Sequence, residues 1–455
     1  MLRRLGIPLL VALAGPGTAA AQPRAASEVL APSVEALLRA GEETAELRAL
    51  RLLEEEVFGR VGRVDPAGSA ARGLELPPAL TSTAPSAAPE IAEGSRDLAW
   101  LQGVALPDIP IRWDDRVVRY LELFRDDPRG RGLMRAWYQR LGRYGAMIEG
   151  SLERAGMPRD LRCVALAESG FDPLARSGAG AVGMWQFVGP TGAEYGLAQN
   201  HWVDQRRDPL RSTAAAAAYL GHLHRRLGNW ELALAAYNMG YGALLRAIRK
   251  YNTNDYAMLS RVEAGLPFET TVYVAKILAC SVVLRNPERF GLAEVAQDPA
   301  LAVRTVDVPG GVNLGTLARA AGMEPAALAA INPELLRGRT PPDATRYDLR
   351  LPADRVETFS RAARRIRPGE EGQQVYVLRF GESLRDVASR YRTTVDELRA
   401  RNEIAESTEI GPGTALLVPA VRPRDERSSA ERPVAAVPDT EFRYEGRRRA
   451  FYRTS

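Results

Sequence analysis

The stretch MPRDLRCVALAESGFDP, residues 157–173, decides how this chain is read. Asp160 stands where it can cap a helix that begins shortly after Pro158. Leu161, Val164 and Ala165 follow at i, i+3 and i+4, the spacing of one buried face, and Glu168 falls at i+7 on the same face. Gly170 then supplies the stop. A carboxyl on the apolar side of a helix C-terminus is opposed twice, because burial and the negative end of the helix dipole both disfavour its charge. Such a group stays protonated near neutral pH, as a general acid must. The same pattern also fits a Glu that merely snorkels at a helix end, and spacing alone does not separate the two.

Three more clusters lie outward from it. RSGAGAVGMWQF, residues 176–187, joins small residues that let backbone approach closely to Gln186, a hydrogen-bonding group, and to Trp185 and Phe187, apolar surfaces that could face a ligand. It lacks the Gly-Lys-Ser/Thr ending of a phosphate loop. AAYNMG, residues 235–240, closes a helical pattern, and PFETTVYV, residues 267–274, opens another. From about Asp108 to Gln297 helical patterns alternate with short Gly, Pro or Asn breaks. Asp208-Pro209 reads as a cap and first-turn proline, Gly228 as a stop, and Ala214 to Ala218 as a close helix–helix contact. This region is expected to be all-α.

The flanks differ in texture. Residues 1–22 read as a secretory signal: Arg3 and Arg4, then a mostly apolar Leu5 to Ala14, then Ala19 to Ala21 before Gln22. No cysteine lies near that cleavage site, so no lipid anchor is expected there. Residues 33–58 carry an amphipathic helical pattern through Leu37, Leu38, Leu47, Leu50, Leu53 and Val57, and 62–96 have the composition of a linker. Past residue 300 an internal repeat appears. Leu317, Leu328 and Asn332 recur 70 positions later as Val387, Leu398 and Asn402, and each copy closes on an apolar run ending in Pro352 or Pro419. With strands expected at Val303 to Val308 and Val375 to Leu378, two β-α-α-β units fit. Residues 421–455 read as a disordered tail.

Composition excludes several classes. The 455 residues are 45% hydrophobic and 26% charged, as in ordinary globular protein. Two cysteines rule out a disulfide scaffold, and three histidines make a histidine-held metal centre a poor fit. Of 61 basic residues only Lys250 and Lys276 are lysines, and 56 acidic residues are interspersed among them, so no nucleic-acid partner is expected. Cys163 and Cys280 read as buried free thiols more readily than as a disulfide. His222 and His224, two apart on a helix, are poor co-ligands. The segment Arg447 to Arg453 could touch anionic envelope polymers or lipid headgroups, a peripheral membrane contact, though a solvated tail is the plainer reading.

Taken in order and approximate spacing, Glu168-Ser169, Gly183 to Gln186, Ala236 to Asn238 and Glu269-Thr270 through Tyr273 resemble the motifs of soluble-lytic-transglycosylase-type domains. The β-α-α-β units resemble lysin motif (LysM) domains. The 374–420 copy is good, with Gly381 to Leu384 opening its first helix, and the 301–353 copy is degenerate. The resemblance implies an α+β multidomain chain, in which a mainly α, lysozyme-like catalytic domain is followed by small βααβ units. The divisions are a signal at 1–21, an N-terminal helix and linker at 22–100, the catalytic domain at 101–298, the two LysM-type units, and the tail. The resemblance also implies cleavage between N-acetylmuramic acid and N-acetylglucosamine in peptidoglycan with closure of a 1,6-anhydro ring. Glu168 is the implied catalytic acid/base. Ser177, Gln186, Tyr237, Asn238 and Glu269 would bind substrate, and no cofactor or metal is needed. Peptidoglycan glycan strands are the expected partner and the periplasm the expected location. Two rivals stay open: a muramidase of the same fold that uses water, and a non-catalytic peptidoglycan-binding scaffold.

Overall fold

The structure, a computed structural model, describes residues 44–62, 98–262, 265–366, 372–408 and 410–420, together with two short strands at 442–444 and 447–449. The expected signal and most of the expected linker fall outside these residues. The region from Asp108 onward is helical, as its patterning predicts. Its main helices are α1 (Ala45–Gly62), α2 (Asp115–Asp126), α3 (Pro128–Arg154), α4 (Arg162–Ser169), α5 (Gly189–Glu194), α6 (Pro209–Leu227), α7 (Trp230–Met239), α8 (Tyr241–Tyr251), α9 (Tyr256–Arg261) and α10 (Phe268–Arg285).

Local chemistry sets several of these boundaries. The Asp208 carboxylate accepts from the amides of Leu210 and Arg211 to start α6, and Gly228, at φ 68°, ends it. Gly170 closes α4 in the left-handed conformation, at φ 59°. Asp160 departs from expectation. It lies in a 3-10 turn, Arg159–Leu161, before α4 and does not cap that helix. Its carboxylate instead accepts from the Asp108 amide at 2.9 Å and the Arg285 guanidinium at 2.9 Å, both distant in sequence.

Helix α10 is central. Every residue from Thr270 to Leu284 is buried, and the helix packs against α2, α4 and α7. Around it Tyr120, Phe124, Trp137, Ile148 and Trp185 build one apolar core. The amphipathic helix expected at 33–58 is described from Ala45 on, and it belongs to this core: Leu50, Leu53 and Phe58 are buried in it. The helical domain therefore does not begin at residue 101, since α1 is one of its packing elements. No described helix is long and apolar enough to cross a membrane.

The repeat is realised as two β-α-α-β units. In the first, β1 (Val303–Pro309) pairs antiparallel with β2 (Arg346–Pro352), enclosing α11 (Leu314–Ala321) and α12 (Pro325–Ile331). In the second, β3 (Gln373–Val377) pairs antiparallel with β4 (Ala415–Pro419), enclosing α14 (Leu384–Arg390) and α15 (Val395–Arg401). The intervening α13 (Val356–Ala363) packs Phe359 into the first unit's core, so that unit runs past residue 353. Asn332 and Asn402 are both fully buried and play one role. Each amide donates to the carbonyl of Leu328 or Leu398 and to a carbonyl of the closing strand, and its oxygen accepts the amide of that strand's Arg350 or Leu417. In the tail, β5 (Phe442–Tyr444) pairs antiparallel with β6 (Arg447–Arg449), where no structure was expected.

Both units are seated on the segment from His201 to Arg211. The Asp204 amide donates to the Glu334 carbonyl and the Leu336 amide to the Trp202 carbonyl, each at 2.9 Å. Arg350, almost fully buried, pairs with Asp208 at 2.6 Å and with Glu334. Trp202, 1% exposed, donates its indole N–H to the Ala415 carbonyl at 2.8 Å and packs against Leu417. His201 Nε2 lies 2.6 Å from the Asn402 carbonyl oxygen.

Candidate active site

Glu168 occupies the last turn of α4, one residue before Ser169 ends the helix, and α10 lies across it. The residue is partly exposed, while its carboxyl is densely surrounded by protein. Burial raises its pKa from an ordinary 4.5 to about 7, against the opposing pull of the Tyr273 hydroxyl and the Lys276 ammonium. The Tyr273 hydroxyl donates to Oε1 at 2.7 Å, which leaves Oε2 to carry a proton. Burial, and then the negative charge of Glu168, hold the phenols of Tyr273 and Tyr237 well above their usual range, so both remain donors.

The glycine-rich loop is built to pass beneath this helix end. Gly183 has φ 86°, and a Cβ there would lie 2.0 Å from the Arg206 carbonyl oxygen, so only glycine fits. Arg206, itself paired with Asp204, donates to the carbonyls of Gly180 and Phe187 and fixes the loop's width. Ser169 Oγ donates to the Met184 carbonyl at 2.9 Å, tying the loop to the residue after Glu168.

These ties change the roles expected of several residues. Trp185 and Phe187 do not face a ligand. Both are core, and the Trp185 indole donates to Thr213 Oγ1 at 3.0 Å. Gln186 is partly exposed, but its amide N–H groups are turned back onto the carbonyls of Ala175 and Gly183. It holds the loop's shape through those two bonds. Ser177 is likewise partly exposed, its Oγ accepting the Ala181 amide at 3.1 Å.

Tyr237 and Asn238 sit at the end of α7. The Tyr237 hydroxyl donates to the Trp185 carbonyl at 2.8 Å, and Asn238 Oδ1 accepts from Thr270 Oγ1 at 2.9 Å. Glu269, in the first turn of α10, is exposed. The site therefore brings Glu168, Tyr237 and Tyr273 together, with Gln186 and Ser177 on the loop that frames them. Rings of Tyr195, Tyr219 and Tyr237 run on from it, neighbouring centroids 4.9 and 5.1 Å apart, a row that sequence reasoning did not select. Tyr273 appeared only as the end of a motif. Its i, i+3 spacing from Thr270, which holds Asn238, was the available signal. Cys163 and Cys280 are both buried and unpaired. Among the described residues no group of three His, Cys, Asp or Glu could hold a metal ion.

Comparison with known proteins bears on these parts of the chain separately. Residues 146–259 match the transglycosylase SLT domain, 302–368 the LysM-like domain of lytic transglycosylase MltD, and 376–419 the LysM domain. The chain is 31% identical over 291 residues to membrane-bound lytic murein transglycosylase D of Escherichia coli, a match covering 60% of this chain and 63% of that protein. It thus spans just under two thirds of that relative's length. It is also 31% identical over 158 residues to a putative tributyltin chloride resistance protein of an Alteromonas strain, covering 34% of this chain and 74% of that one. Among solved structures, the 70 kDa soluble lytic transglycosylase of E. coli matches at 25% identity over 30% of this chain and 23% of its own, with a TM-score of 0.25.

Proposed function

Since the chain belongs to the family of transglycosylase SLT-domain proteins and carries two LysM-type units behind that domain, we propose that it is a peptidoglycan lytic transglycosylase. The observation that carries the reading is a single carboxyl, Glu168, held protonated near neutral pH by burial and oriented by Tyr273. The proton on Oε2 passes to the glycosidic oxygen as the bond from that oxygen to the muramyl C1 breaks. Oε2, now a carboxylate oxygen, takes the proton of the muramyl 6-hydroxyl as its oxygen bonds to C1. The products are a free 4-hydroxyl on N-acetylglucosamine and a 1,6-anhydromuramyl end. No water is consumed and Glu168 ends protonated, ready to act again.

One carboxyl serving both transfers needs an acceptor already close to it. The 6-hydroxyl belongs to the same sugar, so it has a large effective-molarity advantage over free water. Glu269, exposed in a helix's first turn, is no second nucleophile of the two-carboxylate kind. Ser177, Gln186, Tyr237, Asn238 and Glu269 are assigned to the walls of the glycan groove. The 301–366 and 374–420 units bind glycan strands, and the chain works in the periplasm after export by its N-terminal signal. Digestion of purified sacculi followed by mass spectrometry tests the reading. Anhydromuramyl termini are expected as the main product, and mainly reducing muramic acid ends would make the protein a muramidase. Release of neither by the wild-type chain would leave a binding scaffold.

A further inference from the structure

Lys276, one of only two lysines in the chain, lies inside the wholly buried run of α10 and is 6% exposed. A buried ammonium is costly unless an anion meets it. Its partner is Glu54 Oε1, 2.9 Å away, brought by α1 from 222 residues upstream. The same oxygen accepts the Tyr120 hydroxyl of α2 at 2.7 Å. One turn before Lys276 stands Tyr273, whose ring centroid is 5.9 Å from Nζ and whose hydroxyl holds Glu168. The contacts Glu54, Lys276, Tyr273 and Glu168 thus form one line from the N-terminal helix to the acid. Two carboxyls share the field of one cation.

We propose that Glu54 is a positioning residue for the reaction: by holding the Lys276 ammonium to α1, it prevents that cation from becoming the ion-pair partner of Glu168. This rests on the reading of Glu168 as the acid. The groups facing Glu168 are Tyr273 and Lys276 from α10 and Tyr237 from α7. Those facing Lys276 are Glu54 from α1 and, a turn further along α10, the Cys280 thiol, while Tyr120 from α2 meets it through Glu54. Among the groups just named, Glu168 is the carboxyl left for a Lys276 released from Glu54. That cation would then stabilise the carboxylate form of Glu168 and drain the acid form that the first proton transfer uses.

The test is the titration of the Glu168 carboxyl carbon by NMR in the full chain, its resonance identified by loss in E168Q, alongside kcat/KM against pH on a soluble glycan. E54Q is expected to lower the titration midpoint by about one unit and to move the falling limb of kcat/KM to lower pH by the same amount. K276M is expected to raise the midpoint, and E54Q/K276M to follow K276M, since without the cation Glu54 has no charge to keep from Glu168. E54D, which keeps the charge on a shorter stem, serves if E54Q does not fold, with a smaller shift in the same direction. An unmoved or raised midpoint in E54Q or E54D, or a double variant that behaves like E54Q, overturns the proposal. A helix that only packs would lower stability without moving these midpoints in opposite directions. The carboxyl titration needs no turnover, so it stands even if sacculi are not cleaved. Loss of cleavage in E168Q decides the underlying reading separately.

Discussion

Glu168 combines two costs that ordinary surface carboxylates avoid: a crowded setting and a helix C-terminus. Its raised pKa gives a sign that can be checked twice. On the proposed reading the acid form starts the reaction, so kcat/KM should fall as pH rises through about 7. The folded chain also holds a proton that the unfolded chain has lost above its ordinary 4.5. That contribution to stability is complete below the unfolded value and is lost as pH rises through the folded one. E168Q cannot lose it. Sacculus digestion by E168Q should drop about 10²–10⁴-fold. Its stability relative to wild type should improve by about 3 kcal/mol between pH 4 and pH 8, read by denaturant unfolding at each pH. A stability gap that does not change with pH would mean that Glu168 titrates in the folded chain as it does in water.

At the level of elements, the loop from Arg176 to Phe187 and the end of α4 work as one part, joined by Ser169 and pinned by Arg206. Gly183→Ala would place a methyl against the Arg206 carbonyl at a positive φ. It should cost about 1–3 kcal/mol and lower kcat more than it raises KM, because the loop it displaces is tied through Met184 to Ser169, the residue next to Glu168. A variant with wild-type melting temperature and kcat would show that the loop can yield there. The sequence disclosed this part unevenly. Gly170, Asp208 and Gly228 act through neighbours within a turn, so their roles could be read directly. Asp160 could not be read, because Asp108 and Arg285 lie 52 and 125 residues away. Trp185 and Phe187 sit in a stretch without a helical or strand period, which gave no sign of which way they turn. Tyr273 and Lys276 were hidden for the opposite reason. A helix buried on every side has no polar face, so Tyr273 and Lys276 break no pattern.

At the level of the whole molecule, the repeat was legible because Asn332 and Asn402 do the same work in each copy. The docking was not, since Trp202 and Asp208 meet partners more than 140 residues downstream. The second unit is seated on the helical domain, so removing residues 372–455 should do two things. Retention on insoluble peptidoglycan should weaken more than cleavage of short soluble glycans. Trp202, uncovered, should also shift the protein's fluorescence to the red, a shift that W202F in the same truncation removes. Unchanged emission would mean that the indole stays covered without that unit.

The seat has a further consequence through Asp208. One oxygen of its carboxylate starts α6 of the helical domain and the other grips Arg350 of the first small unit, whose guanidinium also holds Glu334. Neither partner can leave without stranding charge in an apolar interior. Heated in a calorimeter, the helical domain and this unit should therefore absorb in one cooperative peak, with van't Hoff and measured enthalpies agreeing for the pair. The two parts would share a single melting event, so damage to either would be felt by both.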